Sequence, residues 1–517
     1  MGERLPFDLA RWLASLLLVA GLRAPAECAD AAGDEFRTPM IVVVKDAENL
    51  RQLREMCQLG TPGEAAGPGF YEGVTEQCLL ADGQCKRVFT TSLKGVSGNF
   101  SDSDLDIINT CMHGGVKYIE ADREVTRRKD EEFPDNKRPK PSIEHLMQTK
   151  NHALREAVAN NRRRILRESK SFLGQEVDEE ALLDQDSRWG EKTQYLHPAL
   201  WNLDRVDQRE LPLNGEYRYG YDKIVGTGHG VSVFILDSGV RASHDEFQPW
   251  GSGESRAQYG WDFVDDDSEA EDCEGHGTHV ASTAIGRNVG IAKSATVVAI
   301  RVLNCKSTTS ISTTIAGLEW VATYGKRPGV VGLSLGVEIE KLGKWSQALE
   351  DTVVSLVDDH GFVVVVAAGN YAIDSCYVAP ANLPQTITVA GHNLENKFDN
   401  TSRGELEGIY PWTDTGSCVD IFAPSVDILG ACGGAGRCKN LTDSAYTWNE
   451  GTSMAVPHVA GVAAMYLGEY PDASPAEVKE AIISHATVEK IDKDLMRPGT
   501  PNRLLYSQIF EQASAQP

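Results

Sequence analysis

The chain has 517 residues, of which 41% are hydrophobic and 24% charged, enough for a buried core and too many for one compact domain. Its 75 acidic and 50 basic side chains leave a formal charge of −25, which argues against nucleic acid or an anionic membrane as the main partner.

Residues 1–29 read as a secretory signal peptide. Arg4 and Arg11 precede the apolar run at 12–22, and the small residues Ala24, Ala26 and Ala29 follow. The run is shorter than the roughly 20 apolar residues that cross a bilayer, and no later segment is longer, so no membrane anchor is expected. Residues 30–126 contain a small α+β unit. A strand is predicted over 40–45, and a helix over 46–57 with Leu50, Leu53 and Met56 on one face. A Gly/Pro-rich loop follows at 60–69, then a strand over 87–93, a helix starting at Ser101 and a strand over 116–120. Residues 127–192 form a charged linker with one helix over 143–169; the basic run 162–164 is either a solvated helix face or a processing site. In residues 193–517 the apolar runs 231–236, 296–302, 330–335, 362–368 and 386–390 alternate with helical patterns at 312–324 and 344–359. Such alternation predicts an α/β fold, a parallel sheet with helices on both faces, whose sites sit at the carboxyl ends of strands.

The 11 cysteines include no Cys-x-x-Cys pair, which favours disulfides over zinc or redox chemistry, and Cys432 and Cys438 are placed to pair locally. Asn99, Asn400 and Asn440 head glycosylation tripeptides.

Three segments carry chemistry. Asp237-Ser-Gly follows a buried strand, His276-Gly-Thr-His279 opens a helix among glycines, and Gly451-Thr-Ser453-Met-Ala starts another helix. Serine becomes a nucleophile when a histidine takes its proton, and that histidine needs a carboxylate on its other nitrogen. A helix start adds backbone N–H groups for an oxyanion. Each segment alone reads as a cap or a turn; the order Asp, His, Ser makes the set specific.

Residues 193–508 resemble the subtilase serine peptidases, and their proteinase K branch most. The match rests on these three segments, on Ala367-Ala-Gly-Asn370, and on the stretches 201–208, 300–304, 316–320 and 499–503. Residues 38–126 are similar to the inhibitor-type propeptide of such enzymes, through Leu93-Lys-Gly95 and Tyr118-Ile-Glu-Ala-Asp122. The resemblance implies a secreted serine endopeptidase of broad specificity, made as a self-inhibited monomeric zymogen and destined for the exterior or a vacuole-type lumen. It implies Ser453 as nucleophile, His276 as base and Asp237 as its orienter, with Asn370 donating to the oxyanion. Ser334, Leu335, Gly336 and Ala367, Ala368, Gly369 would be two strand edges flanking a peptide substrate. No catalytic cofactor is implied. A structural calcium would sit on Asp420 and the carbonyls of Pro380 and Asn382, and Cys273–Cys305 and Cys376–Cys418 would be disulfides. Ser282, Gly332 and Ser425 depart from the family's usual residues. The rival reading is a catalytically silent protein of this fold that keeps its propeptide in the groove.

Overall fold

The computed structural model describes residues 37–58, 79–80, 84–126, 192–196, 198–219, 226–249, 254–338, 346–394, 406–434, 438 and 442–509. The expected signal peptide, the linker with its helix and basic run, Cys28, Cys78, Asn400 and Asn440 lie outside them.

The N-terminal unit contains β1 (Thr38–Val44), α1 (Ala47–Met56), β2 (Cys85–Phe89), β3 (Gly95–Phe100), α2 (Asp102–Cys111), β4 (Val116–Ala121) and β5 (Glu124–Thr126). Its antiparallel sheet runs β2-β3-β1-β4. Asp46 caps α1, and Ser101 with Asp104 forms a capping box on α2. The two-residue period of β1 divides it between two cores. Val42 and Val44 cluster with Leu50, Leu53, Met56 and Ile108 of the unit itself. Ile41 and Val43 join Phe89 and Leu93 in a cluster that continues into Ile315, Leu318 and Val353 of the larger body. β3 was not expected, because Gly95 and Gly98 weaken its strand signal. Both glycines allow close backbone approach: a Cβ there would lie 2.4 Å from Val42 O and 2.2 Å from Gln84 O.

The larger body follows with β6 (Ser232–Asp237), β7 (Ala257–Asp262), α3 (His276–Ile285), β8 (Thr296–Arg301), β9 (Thr308–Ser310), α4 (Ile311–Tyr324), β10 (Gly329–Leu333), α5 (Gln347–Asp358), β11 (Val363–Ala367), β12 (Ile387–Asn393), β13 (Ile421–Pro424), β14 (Ile428–Ala431), β15 (Tyr446–Asn449), α6 (Thr452–Glu469), α7 (Pro475–Ser484), β16 (Thr487–Val488) and β17 (Arg503–Leu504). The main sheet runs β16-β17-β13-β12-β11-β10-β6-β8-β7. Its pairs from β17 to β7 are parallel. All five predicted apolar runs are strands of this sheet. The core of β11 is four consecutive buried valines, as expected for a strand covered on both faces; each contributes roughly 1.5–3 kcal/mol by burial. α6 is buried nearly all round and crosses behind the sheet beside α3, while α4 and α5 cover the opposite face.

The two units are joined by carboxylates that meet backbone N–H groups. Glu319 of α4 accepts from Thr90 N (3.0 Å), Thr91 N (2.7 Å), Leu93 N (2.8 Å) and also from Ser92 N. Asp122 accepts from Ser312 N (2.9 Å) and Ser312 Oγ (2.6 Å) in the first turn of α4. Glu120 does the same at the start of α5, from Ala348 N (3.2 Å) and Ser346 Oγ (3.2 Å). Carboxylates at helix N-termini complete orphan donors and meet the positive end of the helix dipole.

Four disulfides are described: Cys57–Cys85, Cys273–Cys305, Cys376–Cys418 and Cys432–Cys438. The last three are the pairings read from the sequence. Asn99 is half-buried within β3. Among the described residues, no helix is long and apolar enough to cross a membrane.

Candidate active site

Asp237 ends β6, a strand paired on both sides, so its position is set by the sheet. Its carbonyl accepts from Val302 N (2.9 Å) and Leu303 N (3.1 Å), and the side chain is buried. Both carboxylate oxygens lie 2.8 Å from His276 Nδ1. A carboxylate on Nδ1 holds the proton there and leaves Nε2 as an acceptor.

His276 is the first residue of α3. The preceding Gly275 has φ +110°, a left-handed conformation that suits glycine. A Cβ on Gly277 would lie 2.1 Å from Gly239 O, so the helix start and the Asp237 turn touch through bare backbone.

Asp272 went unnoticed in the sequence. Its Oδ1 accepts from Ser238 Oγ (2.9 Å), Glu274 N (2.9 Å) and Gly275 N (2.7 Å). Its Oδ2 accepts from Thr278 N (2.9 Å) and Thr278 Oγ1 (2.5 Å). This buried carboxylate ties the turn after Asp237 to the helix that carries His276. Burial pushes its pKa up, and the bonds from Thr278 and Gly275 pull it back. An acidic residue shortly before a helix start was the available signal.

Ser453 lies in the first turn of α6, after Gly451 at φ +124°. Its Oγ donates to Ser334 O (3.2 Å), and Ser334 Oγ donates back to Ser453 O (3.0 Å). His276 Nε2 has no hydrogen-bond partner among the described residues, so His276 is bonded to Asp237 and not to Ser453. Asn370 Oδ1 accepts from Thr452 N (2.9 Å) and Thr452 Oγ1 (2.8 Å), which turns its amide Nδ2 away from Thr452.

The segments expected as substrate edges behave differently from each other. β10 and β11 pair as far as Leu333 and Val366, then separate. Ser334, Leu335 and Gly336 line the resulting cleft together with Ala367, Gly369, Asn370 and Ser453. Ala367 also pairs with Val389 of β12, so β11 is held from that side, while its ladder to β10 ends at Val366. Ala368 turns away from the cleft: its N–H bonds Val389 O (2.9 Å) and its side chain joins a separate buried cluster. A further strand edge, that of β9, carries β5 antiparallel, pairing Thr309 with Val125. This pairing joins residues too far apart in sequence to be read locally.

The three departures are packing changes. Ser282 Oγ donates to His279 O (2.9 Å) and accepts from Ala431 N (2.8 Å), pinning β14 to α3. Ser425 Oγ donates to His392 O (2.9 Å). A Cβ on Gly332 would lie 3.0 Å from Ile235 Cδ1. His279 and His458 are also buried, against Ile428 O (3.0 Å) and Met454 O (2.7 Å). Desolvation lowers their pKa values to about 3 and about 4, so both stay neutral near pH 7.

Asp420, Pro380 and Asn382 do not fit a calcium ion in this arrangement. Asp420 Oδ2 accepts from Lys479 Nζ (2.8 Å) and from Thr388 N (2.9 Å). Pro380 O accepts from Leu383 N (3.1 Å) and Thr386 Oγ1 (3.5 Å), and Asn382 Nδ2 donates to Glu350 Oε1 (2.8 Å). Calcium takes six to eight oxygens, and here an ammonium already holds the one carboxylate of the set.

Fold and site together define an α/β protein with an Asp–His pair and a helix-start serine at the carboxyl edge of its parallel sheet. The sequence model described as the subtilase family matches residues 228–505, and the chain belongs to that family. It is 40% identical over 309 residues to the alkaline serine exoprotease A of Vibrio alginolyticus, covering 60% of this chain and 50% of that one. It is 38% identical over 310 residues to an extracellular serine proteinase of Thermus sp. (strain Rt41A), covering 60% of this chain and 66% of that one. The match thus spans between half and two thirds of these relatives. A crystal structure of a cold adapted subtilisin-like serine proteinase superposes with a TM-score of 0.50 at 36% identity, covering 61% of this chain and 99% of that one.

Proposed function

We propose that this chain is a secreted serine endopeptidase made as a self-inhibited precursor. The reading rests on one observation: His276 is bonded through Nδ1 to Asp237 with Nε2 unpartnered among the described residues, and Ser453 and Asn370 line one cleft. In this reading Ser453 Oγ leaves Ser334 O for His276 Nε2; catalytic hydrogen bonds are often loose before substrate arrives. Oγ then attacks the scissile carbonyl as Nε2 takes its proton. The tetrahedral oxyanion is held by Asn370 Nδ2 and the Ser453 N–H at the start of α6. Collapse breaks the C–N bond, and His276 returns the proton to the leaving amine. Water, activated by the same histidine, hydrolyses the acyl-enzyme and restores Ser453. The small residues of the cleft walls suit apolar side chains of varied size.

Replacing Asn370 with Leu is expected to lower kcat by about 10²–10³ with KM little changed, since the donor acts on charge that develops in the transition state. Steady-state kinetics on a peptide anilide would read this; a loss below about tenfold would place the oxyanion elsewhere.

The N-terminal unit is the inhibitor in this reading. It caps α4 and α5, and β5 lies along β9, the position an extended substrate would take by strand addition. The same contact favours the second reading, a silent protein whose groove stays filled. Labelling by a fluorophosphonate probe separates the two. The chain freed of its N-terminal unit by a cut within residues 127–192 is expected to label at Ser453 and to cleave casein. Failure to do either would leave the binding-protein reading.

A further inference from the structure

The surroundings of Asp420 carry an inference independent of catalysis. α7 opens on a capping box, Ser474 with Glu477, preceding Pro475, and buries Val478 and Ile482. That orientation delivers Lys479, on the same helix, to the loop entering β12. Its ammonium makes three hydrogen bonds: to Pro384 O (3.0 Å), Thr386 O (2.7 Å) and Asp420 Oδ2 (2.8 Å). Three N–H groups meet three acceptors, so the donor capacity of the ammonium is filled. The ion pair is about four-fifths buried on both sides, with side-chain exposures of 20% and 18%.

The elements joined are far apart in sequence. Asp420 precedes β13 and makes two bonds with Thr388 of β12: its N–H donates to Thr388 O (2.9 Å), and its side-chain Oδ2 accepts from Thr388 N (2.9 Å). Thr388 Oγ1 donates to Ala381 O (2.8 Å), which carries the tie back to the loop of Pro380 and Asn382. Lys479 adds α7 to this knot. A divalent cation on Asp420 would have to approach an oxygen already 2.8 Å from a positive charge, and like charges at that range repel strongly where solvent is scarce. Ammonium and metal therefore compete for one carboxylate.

We infer that Lys479 is a built-in cation: its ammonium performs at Asp420 the cross-linking that a bound calcium would otherwise supply, and this part of the fold does not depend on calcium. The arrangement also sets a direction for substitution. Removing the ammonium leaves a carboxylate and two carbonyl oxygens facing one space, a donor set that suits a hard cation.

Thermal melting of the full chain in a Ser453→Ala background, which removes self-digestion, tests this. The parent and Asp420→Asn are expected to show the same change in Tm between calcium and chelator, because any calcium response then arises elsewhere. Lys479→Met is expected to melt at least about 2 °C lower in chelator. It is also expected to recover with calcium by more than the parent does, and that excess should vanish in the Lys479→Met, Asp420→Asn double variant. A calcium response in the parent that Asp420→Asn abolishes would overturn the inference. So would a Lys479→Met chain whose Tm matches the parent in chelator.

Discussion

Replacing Ser453 with Ala is expected to lower kcat on peptide substrates by about 10⁶-fold, roughly 8 kcal/mol of barrier, while leaving the melting temperature almost unchanged. Ser453 is nearly fully buried, but among the described residues its Oγ makes a single hydrogen bond, to Ser334 O (3.2 Å), and that carbonyl lies at a cleft where water can replace it. The loss is large because no neighbour can take over as nucleophile: Ser334 Oγ is committed to Ser453 O (3.0 Å) and Thr452 Oγ1 to Asn370 Oδ1 (2.8 Å). The substitution also reports on maturation. If the chain cuts itself between the N-terminal unit and the body, Ser453→Ala accumulates as the full-length precursor, visible by electrophoresis. Normal processing of that variant would assign the cut to another protease. Residual turnover within about a hundredfold of wild type would remove Ser453 from the chemistry.

Asp237→Asn is expected to reduce kcat by about 10⁴-fold with little change in KM. His276 Nδ1 faces both carboxylate oxygens at 2.8 Å, and Asp237 has no exposed surface. A carboxamide is nearly the same shape but offers one acceptor and one donor. It can bond the imidazole with its proton on Nε2, and that tautomer cannot accept the proton of Ser453. The carboxylate also stabilises the imidazolium that forms during attack, which a neutral amide does less well. Fluorophosphonate labelling rates should fall in parallel with kcat, since both need the same proton transfer. A variant that keeps more than about a tenth of wild-type activity would mean His276 is oriented by something other than Asp237. Asp272 is the group to examine in that event, because it joins the Ser238 turn to the start of α3.

Several features were legible because they are local. Asp237 stands at the end of a short apolar run rich in β-branched residues, which is a buried strand. The glycines around His276 and before Ser453 answer local demands, a positive φ at Gly275 and Gly451 and bare backbone contact at Gly277. The helices over Ile311–Tyr324 and Gln347–Asp358 follow their apolar spacing within a few residues. Where local signals were weak the reading slipped. β3 hid behind two glycines that close packing between strands requires, and Ala368, grouped with the cleft residues, bonds Val389 O and joins a separate buried cluster.

The sequence by itself determined the alternation of strands and helices, the order Asp237, His276, Ser453 and the likeness to one family, since each is assembled from segments that are local in sequence. Only the tertiary structure decided what those residues meet. The four backbone N–H groups on Glu319, the strand β5 along β9, the hub at Asp272 and the ammonium of Lys479 on Asp420 depend on which distant segments the core brings together. Hydrogen bonds and ion pairs act over a few ångströms of space, whereas sequence records distance along the chain. The reach of a side chain toward a partner 59 residues away, as Lys479 makes to Asp420, exists only once the fold has formed.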